Sequence, residues 1–285
     1  SGGTTEETRV RVEVPSGLLA SPPWVLAKEA LSVQSRLRAT SLRLLPGLSP
    51  LVEADIDVSV DGQMARLEVT RGAIEPAAGR RLALSRGSFE IPDHRIPDPP
   101  SISQFRLQGR AEAAFALLGQ EAFRGAATGP TLPSGRVDGN VVADVPVNVP
   151  LAVQFDPQLI EYKVEADFPG FAADNAFGEM RVERAGFKVT TTPKTFLMRG
   201  QGVLGGAQAN FEYRKPRPDA KPEIRLTATL DDRGRGRLGI NTGSRITGPT
   251  PVRVTTVGED SGRYTVEVDL AQTVLSDLLP GWNKP

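Results

Sequence analysis

Apolar and polar side chains alternate along most of this chain. In 52–60 the apolar set is Val52, Ala54, Ile56, Val58 and Val60, and the polar set is Glu53, Asp55, Asp57 and Ser59. Side chains of a strand point to opposite faces in turn, so this segment predicts a strand with one dry and one acidic, wet face. Asp61-Gly62 follows, a favoured central pair for a two-residue hairpin turn, and then Ala65, Leu67 and Val69 alternate with Arg66, Glu68 and Thr70. The same pattern predicts strands at 8–14, 81–91, 141–149, 162–168, 224–230 and 264–270. Pro146 lies on the wet side of its segment and points to an edge or a bulge. One dry face per strand implies mostly antiparallel sheets.

Helical spacing is rarer. Ala111, Ala114, Phe115, Leu118 and Ala122 predict a helix over 110–123. Residues 24–38, after Ser21-Pro22-Pro23, and 271–279, with Val274, Leu275, Leu278 and Leu279, are two further expected helices. An offset of 113 residues superposes Leu67 on Met180, Val69 on Val182, Arg71 on Arg184 and Gly87 on Gly200, as if one hairpin were used twice. The Gly, Pro, Ser and Thr-rich stretch Gly125–Arg136 separates an N-terminal β-rich module, 1–125, from a second, 126–285, that ends in the short helix. Lys215–Pro222 reads as an exposed hairpin loop, and Ile91–Pro100 as a crossing between sheets. The fold class expected is mainly β: antiparallel strands in curved or twisted sheets forming an elongated groove or open sandwich, with two or three short helices.

Composition narrows the function. Lys+Arg and Asp+Glu balance at 34 each, so the chain has no bulk charge to attract nucleic acid. No cysteine is present, which removes disulfides, thiolate metal sites and cysteine nucleophiles. A single histidine, His94, leaves no paired-histidine mechanism. No signal peptide and no apolar run near the ~20 residues of a membrane span is visible. The opening Ser1-Gly2-Gly3 resembles a vector remnant, and the chain reads as an excised fragment whose membrane segments lie outside it.

Four motifs invite chemistry. His94 beside Asp93 suggests general acid–base work, yet no nucleophile motif accompanies it, and a loop histidine is the simpler reading. Asp231–Arg237 is a dense charge cluster whose arginines defeat a calcium loop, leaving a solvated turn between strands 223–230 and 237–240. Gly200, Gly202 and Gly205 match a dinucleotide fingerprint, but alternation follows them instead of a helix, so a bent strand or tight turn is expected. Glu53, Asp55, Asp57, Glu165 and Asp167 form acidic strand faces, read as wet surface and not as paired carboxylates. No cofactor and no metal is expected. What remains is the dry face, which needs a covering layer or an apolar ligand, because few helices are available to bury it.

The run Arg80–Asp93, the helix with Leu117-Leu118 and Glu121-Ala122-Phe123, the stretch Ser134–Gly139 leading into Val145–Leu151, and the closing Tyr264–Pro285 resemble the AsmA-like envelope proteins, the broad group that includes YhdP and TamB. The closing stretch, with Asp269-Leu270 and Leu278-Leu279-Pro280-Gly281-Trp282, is similar to alphaproteobacterial members. The resemblance covers 80–285. It implies an inner-membrane-anchored protein of the periplasm whose twisted β-groove carries phospholipid acyl chains toward the outer membrane, with no catalytic residues. Membrane contact would come through segments outside this chain, and other envelope proteins would be possible partners. The groove-lining candidates are then Val52, Ile56, Val58, Val60, Leu67, Val69, Val145, Val147, Val149, Tyr162, Val164, Phe168, Leu226, Val266 and Val268. A different class of role is a scaffold or assembly factor for outer-membrane proteins, adding client strands to an open sheet edge. A third, an envelope hydrolase, requires a cleft in which His94 meets a carboxylate and a hydroxyl.

Overall fold

A computed structural model describes residues 2–14, 27–43, 47–121, 129–130, 133, 135–151, 159–177, 180–238, 240, 245–256, 263–279 and 282–284. The fold is mainly β, with open antiparallel sheets. The chain divides into two compact units, 1–127 with 141–166, and 128–140 with 167–285. Segment 141–166 groups with the first unit.

In the first unit the strands are β1 (Thr4–Val12), β2 (Leu31–Leu42), β3 (Leu51–Asp61), β4 (Ala65–Ala77), β5 (Arg80–Ile91) and β6 (Pro100–Arg110). Helix α1 (Ala111–Leu118) follows directly on β6. After β7 (Val137–Asp138), which belongs to the second unit, come β8 (Asn140–Pro150) and β9 (Glu161–Tyr162). The spatial order is β1-β2-β3-β4-β5-β6-β8, with β9 on β8. The turn between β3 and β4 is centred on Gly62-Gln63, not on Asp61-Gly62. Asp61 supplies its carboxylate to the N–H groups of Gln63 (2.8 Å) and Met64 (2.6 Å), a side-chain-stabilised turn that requires no left-handed glycine. Gly62 is needed for space: a Cβ there would lie 2.2 Å from the Ala27 carbonyl oxygen.

Two expected helices are strands. Residues 31–42 form β2 after a single 3-10 turn at Lys28–Ala30, and 24–26 lie outside the described residues. Leu31, Val33 and Leu37 fit period two as well as period 3.6, and pairing with β1 and β3 decides between them. The Ile91–Pro100 segment does not cross between sheets, because β5 and β6 pair in one hairpin.

A line of bulges crosses this unit. Register breaks fall at Ala39 in β2, Glu53 in β3, Thr70–Arg71 in β4 and Ser85 in β5. Ala39 (φ 48°) and Glu53 (φ 52°) adopt left-handed backbone. Bulged strands bend and twist more strongly, so four adjacent bends crease the sheet across its strands. The most deeply buried side chains sit at or beside the crease: Leu51, Ile56 and Leu82 are each 1 % exposed. Helix α1 packs over β4, β5 and β6 there, with Ala111, Ala113 and Leu117 buried. Its predicted phase is shifted, since Leu118 is exposed; Ala122 and Phe123 lie outside the described residues. Gln120 fastens the helix end, accepting from Ser49 N–H (2.9 Å) and donating to Ser49 Oγ (2.6 Å) and the Pro76 carbonyl (3.2 Å).

In the second unit the strands are β10 (Val164–Phe177, its first residues grouping with the first unit), β11 (Met180–Thr191), β12 (Phe196–Leu204), β13 (Ala207–Lys215) and β14 (Glu223–Leu230). After α2 (Asp232–Arg237) come β15 (Ile246–Thr247), β16 (Thr250–Thr256), β17 (Tyr264–Val268), β18 (Val274–Leu279) and β19 (Trp282–Lys284). The main sheet runs β10-β11-β12-β13-β14-β16-β17, with β7 on β10, and β15-β18-β19 form a small separate sheet. Within the terminal segment 271–279, where a helix was expected, Val274–Leu279 is strand and 271–272 a turn; pairing of β18 with β15 and β19 overrides the weak helical spacing. Lys215–Pro222 is the β13–β14 hairpin loop, as expected. The 113-residue offset relates two hairpins, β4–β5 and β11–β12, but not their registers. Val69 pairs with Gly87, whereas Val182 pairs with Leu204, because a Thr192–Thr195 loop replaces the Ala78-Gly79 turn.

Candidate apolar binding face

Cross-strand pairing gathers the aliphatic side chains of the first unit into rungs. One rung runs Leu37–Ile56–Val69–Gly87–Phe105, the next Ser35–Val58–Leu67–Phe89–Ser103, the next Val10–Val33–Val60–Ala65–Ile91. Side chains directly opposite on one face are in contact range, so each rung is continuous. Ile56 and Val69 are buried near the crease; Val58, Val60 and Leu67 are half-buried farther along the strands. Val52 does not join them. The bulge at Glu53 reverses the alternation, so Leu51 takes the dry position and Val52 points the other way. On β8, Val145, Val147 and Val149 are half-buried and continue the parity of buried Val141 and Ala143; Val147 pairs with Tyr162, and Val164 is half-buried at the start of β10. Burial raises the Tyr162 hydroxyl's pKa above the ordinary tyrosine value.

The second unit repeats the arrangement with aromatic filling. Its main rung runs Phe187–Gly200–Phe211–Leu226–Val254–Val266, flanked by Gly202–Ala209–Ala228–Val252–Val268. Phe168 stacks on Phe187 at 4.7 Å, and Phe171 meets Phe187 edge-on at 5.0 Å. Gly200 makes this packing possible: a Cβ there would lie 2.3 Å from Phe187 Cβ. Cover thins toward β17, where Val266 is 58 % and Val268 49 % exposed.

Several lining residues were absent from the expected set. Val33 and Leu37 were hidden by the helical reading of 24–38. Phe105 and Leu107 share parity with the buried hydroxyls Ser101 and Ser103, so small polar residues on the dry face masked an alternation that was present. Phe187 lies beyond a bulge at Arg184 (φ 50°) that flips the parity of its strand, whereas Phe211 continues the plain alternation of Ala207–Tyr213 and was legible there.

The opposite face is an ion-pair surface. Arg38 pairs with Asp57 (3.1 Å), Arg71 with Asp55, Arg81 with Glu53, and Arg106 with Asp144 (2.8 Å). Asp55 also accepts from the Ala39 N–H (3.2 Å), so one carboxylate ties together two of the bulges. Its pKa is lowered by the Arg71 hydrogen bond and then by that of Ala39; Glu53 is lowered by Arg81. Glu165 pairs with Lys163 and Asp167 with Lys188, so the acidic strand faces are salt-bridged surface. Two open hollows of about 500 and 410 Å³ lie on the polar face of β14, β16 and β17, lined by Thr227, Arg253 and Glu267 among others.

The remaining motifs resolve structurally. His94 Nε2 lies 2.9 Å from the Asp61 carbonyl, and the His94 backbone N–H donates to the Gln63 carbonyl (2.8 Å), pinning the Pro-rich loop onto the β3–β4 turn. Asp93 is held well below the usual carboxylate range by the Arg95 guanidinium and N–H. Gly205 (φ 56°) and Gly206 (φ 85°) make a two-residue hairpin turn between β12 and β13, not a phosphate cradle. The Asp231–Arg237 cluster is not a solvated turn but α2, capped by Asp231 (2.6 Å to the Gly234 N–H). No strand follows it at 237–240, and residue 239 lies outside the described residues. Arg235 is 4 % exposed and donates to the carbonyls of Leu230 (3.1 Å), Gly248 (2.9 Å) and Ile246 (2.9 Å), to Thr250 Oγ1 (2.8 Å) and to Asp232. Lys284 Nζ likewise donates to the carbonyls of Leu270, Ala271 and Thr273.

Among the described residues no group of three or more His, Asp or Glu side chains is placed to hold a metal, and no helix is long and apolar enough to cross a membrane. The fold and its faces define the class as a mainly β protein built of amphipathic open sheets. Compared with family models, curated proteins and solved structures, the chain matches none of them.

Proposed function

We propose that this chain is a non-enzymatic segment of an inner-membrane-anchored periplasmic protein that binds or conducts phospholipid acyl chains along its apolar sheet faces. The observation that carries this reading is the register, which lines mostly apolar side chains, spaced by Gly87, Gly200 and Gly202, into rungs across consecutive strands and leaves Val266 and Val268 exposed at the end. Six strands from β11 to β17 span roughly 24 Å at ~4.8 Å spacing. One leaflet of a ~30 Å hydrocarbon core is about 15 Å deep, so an acyl chain laid across the strands is accommodated. Each buried CH₂ contributes about 0.8 kcal/mol, and no single polar group on the rung fixes the ligand, which suits sliding. The resemblance to AsmA-like envelope proteins agrees with it.

The test is photo-cross-linking in cells. Benzoylphenylalanine at Leu67 and Leu226, on the apolar faces, captures phospholipid; at Arg66 and Arg225, on the polar faces, it does not. Native mass spectra of the purified chain carry lipid, and Leu226→Asp reduces its occupancy at least about five-fold, given the cost of placing a charge against acyl chains. Lipid at neither face, or at both equally, rules the reading out.

A second reading, addition of a client strand, is favoured by β17, whose five residues are all exposed. A cross-linker at Thr265 that captures protein instead of lipid marks that alternative.

A further inference from the structure

We infer that β1 is a self-pairing edge through which two copies of this chain associate antiparallel about a dyad at Thr8. β1 ends the spatial order of the first unit's sheet, and no described strand pairs with its outer side. Eight of its nine positions are exposed, Val10 at 63 % and Val12 at 51 %. An open edge of this length is a template for another strand unless something blocks it; β1 has no proline, and its register break, between Thr5 and Glu7, leaves Glu7–Val12 in regular pairing.

Charge selects the occupant. Glu7, Arg9 and Arg11 share the polar face, opposite Arg36, Gln34 and Ser32 of β2, while Thr8 bonds Ser35 (2.8 Å) on the other. A two-fold axis through Thr8 sets Glu7 of each copy opposite Arg9 of the other, giving two attractive pairs on one face. An axis at Glu7 sets Glu7 against itself, and one at Arg9 sets Arg9 against itself. An axis at Val10 sets Arg9 against Arg11 twice. Axes between residues place polar-face positions opposite apolar-face ones. Thr8 is thus the one centre from Glu7 to Val10 at which the strand complements itself without a like-charge pair. That is the signature of an isologous contact between identical chains. Glu7 and Arg9 already lie 2.6 Å apart within one strand, and the dimer shares each charge with the partner copy.

The experiment is sedimentation velocity of the full chain over a range of concentrations, with Glu7→Arg and Arg9→Glu. The unsubstituted chain self-associates reversibly. Each single substitution converts two attractive pairs into two repulsive ones and weakens association roughly ten-fold or more. An equimolar mixture of the two variants recovers it, because an all-positive row then faces an all-negative one, although neither variant has its in-strand ion pair. Circular dichroism of each variant checks folding, and the mixing step is insensitive to any small stability loss the two share. A monomer at every concentration, self-association indifferent to both substitutions, or a mixture no tighter than its components overturns the inference. None of these outcomes touches the lipid reading, since the charges lie on the polar face.

Discussion

Replacing Arg235 by Met should unfold the end of the second unit. The guanidinium is buried and serves three backbone carbonyls, the Thr250 hydroxyl and the Asp232 carboxylate. Through them it ties the end of β14 to α2, to β15 and to the start of β16; Thr250 passes the contact on to Thr273 (3.2 Å), itself fully buried. Met fills similar volume but leaves the Leu230 carbonyl and Thr250 hydroxyl without this donor in the interior, at about 1–3 kcal/mol for each group left unsatisfied. Against this stands relief: the Arg235 Nε has no partner, and the buried charge itself was costly to desolvate. The two unsatisfied groups, less that relief, come to about 3–4 kcal/mol net, since Asp232 is 61 % exposed and is not left as a buried charge. For a unit of this size that lowers the melting temperature by about 10–20 °C. The assay is calorimetry, which separates the transition of this unit from the other if the two melt independently. Arg233→Met, on the exposed side of the same helix, is the control and should change stability by under about 0.5 kcal/mol. Arg235→Lys should recover less than half the loss, since one ammonium cannot reproduce a planar fork with five donors. If Arg235→Met melts within about 3 °C of the parent, or no lower than the Arg233 variant, the network does not hold the unit together.

Ala39→Gly removes a side chain from left-handed backbone and should stabilise the first unit by up to about 1 kcal/mol, the relief of strain offset by a freer unfolded chain; urea titration reads it as a higher midpoint at unchanged slope. For pH, Glu53, Asp55, Asp61 and Asp93 all have lowered folded pKa values, so they contribute stability that is full above the unfolded value near ~4 and is lost as pH falls below it. Melting temperature from these groups should therefore be flat from pH 5 to pH 8 and drop on acidification below about pH 4, with Asp55→Asn flattening that drop; a fall beginning near pH 6 would contradict the assignment.

The strands and their faces were legible because alternation is a local signal. Val58, Val60, Leu67 and Val69 stand where period two puts them. The misreadings came where structure is set by partners distant in sequence. Leu31–Leu42 satisfies two periodicities at once, and only β1 and β3 select strand. Val52 fails because an αL residue, Glu53, flips the parity, and nothing in Val52-Glu53-Ala54 announces a bulge at a non-glycine. Arg235 was hidden for a related reason. Interleaved Arg and Gly reads as solvated, and the acceptors that bury it come from residues up to 15 positions away, out to Thr250. The reading of Gly200 and Gly202 as strand glycines held, because the residues after them continued to alternate.

The crease explains how one apolar face can be core along one line and only half-covered beyond it, as the proposed function requires. A flat sheet exposes its dry face uniformly, and a closed sandwich hides it uniformly. Here the bulges at Ala39, Glu53, Thr70–Arg71 and Ser85 bend neighbouring strands along one line. Side chains next to that line, Leu51, Ala54, Ile56 and Leu82, are driven below 2 % exposure, and α1 packs over β4, β5 and β6. A few residues farther along the same strands, Val58, Val60 and Leu67 are only half-buried. Stability is therefore concentrated at the crease, and the outer rungs are left less constrained by packing. A ligand that takes up those outer rungs gains hydrophobic contact without displacing the core. The Asp55 carboxylate, which ties the Ala39 bulge to Arg71, thereby acts on the apolar face from the opposite side of the sheet: it helps hold the bend that separates the buried rungs from the half-buried ones that the proposed function assigns to the ligand.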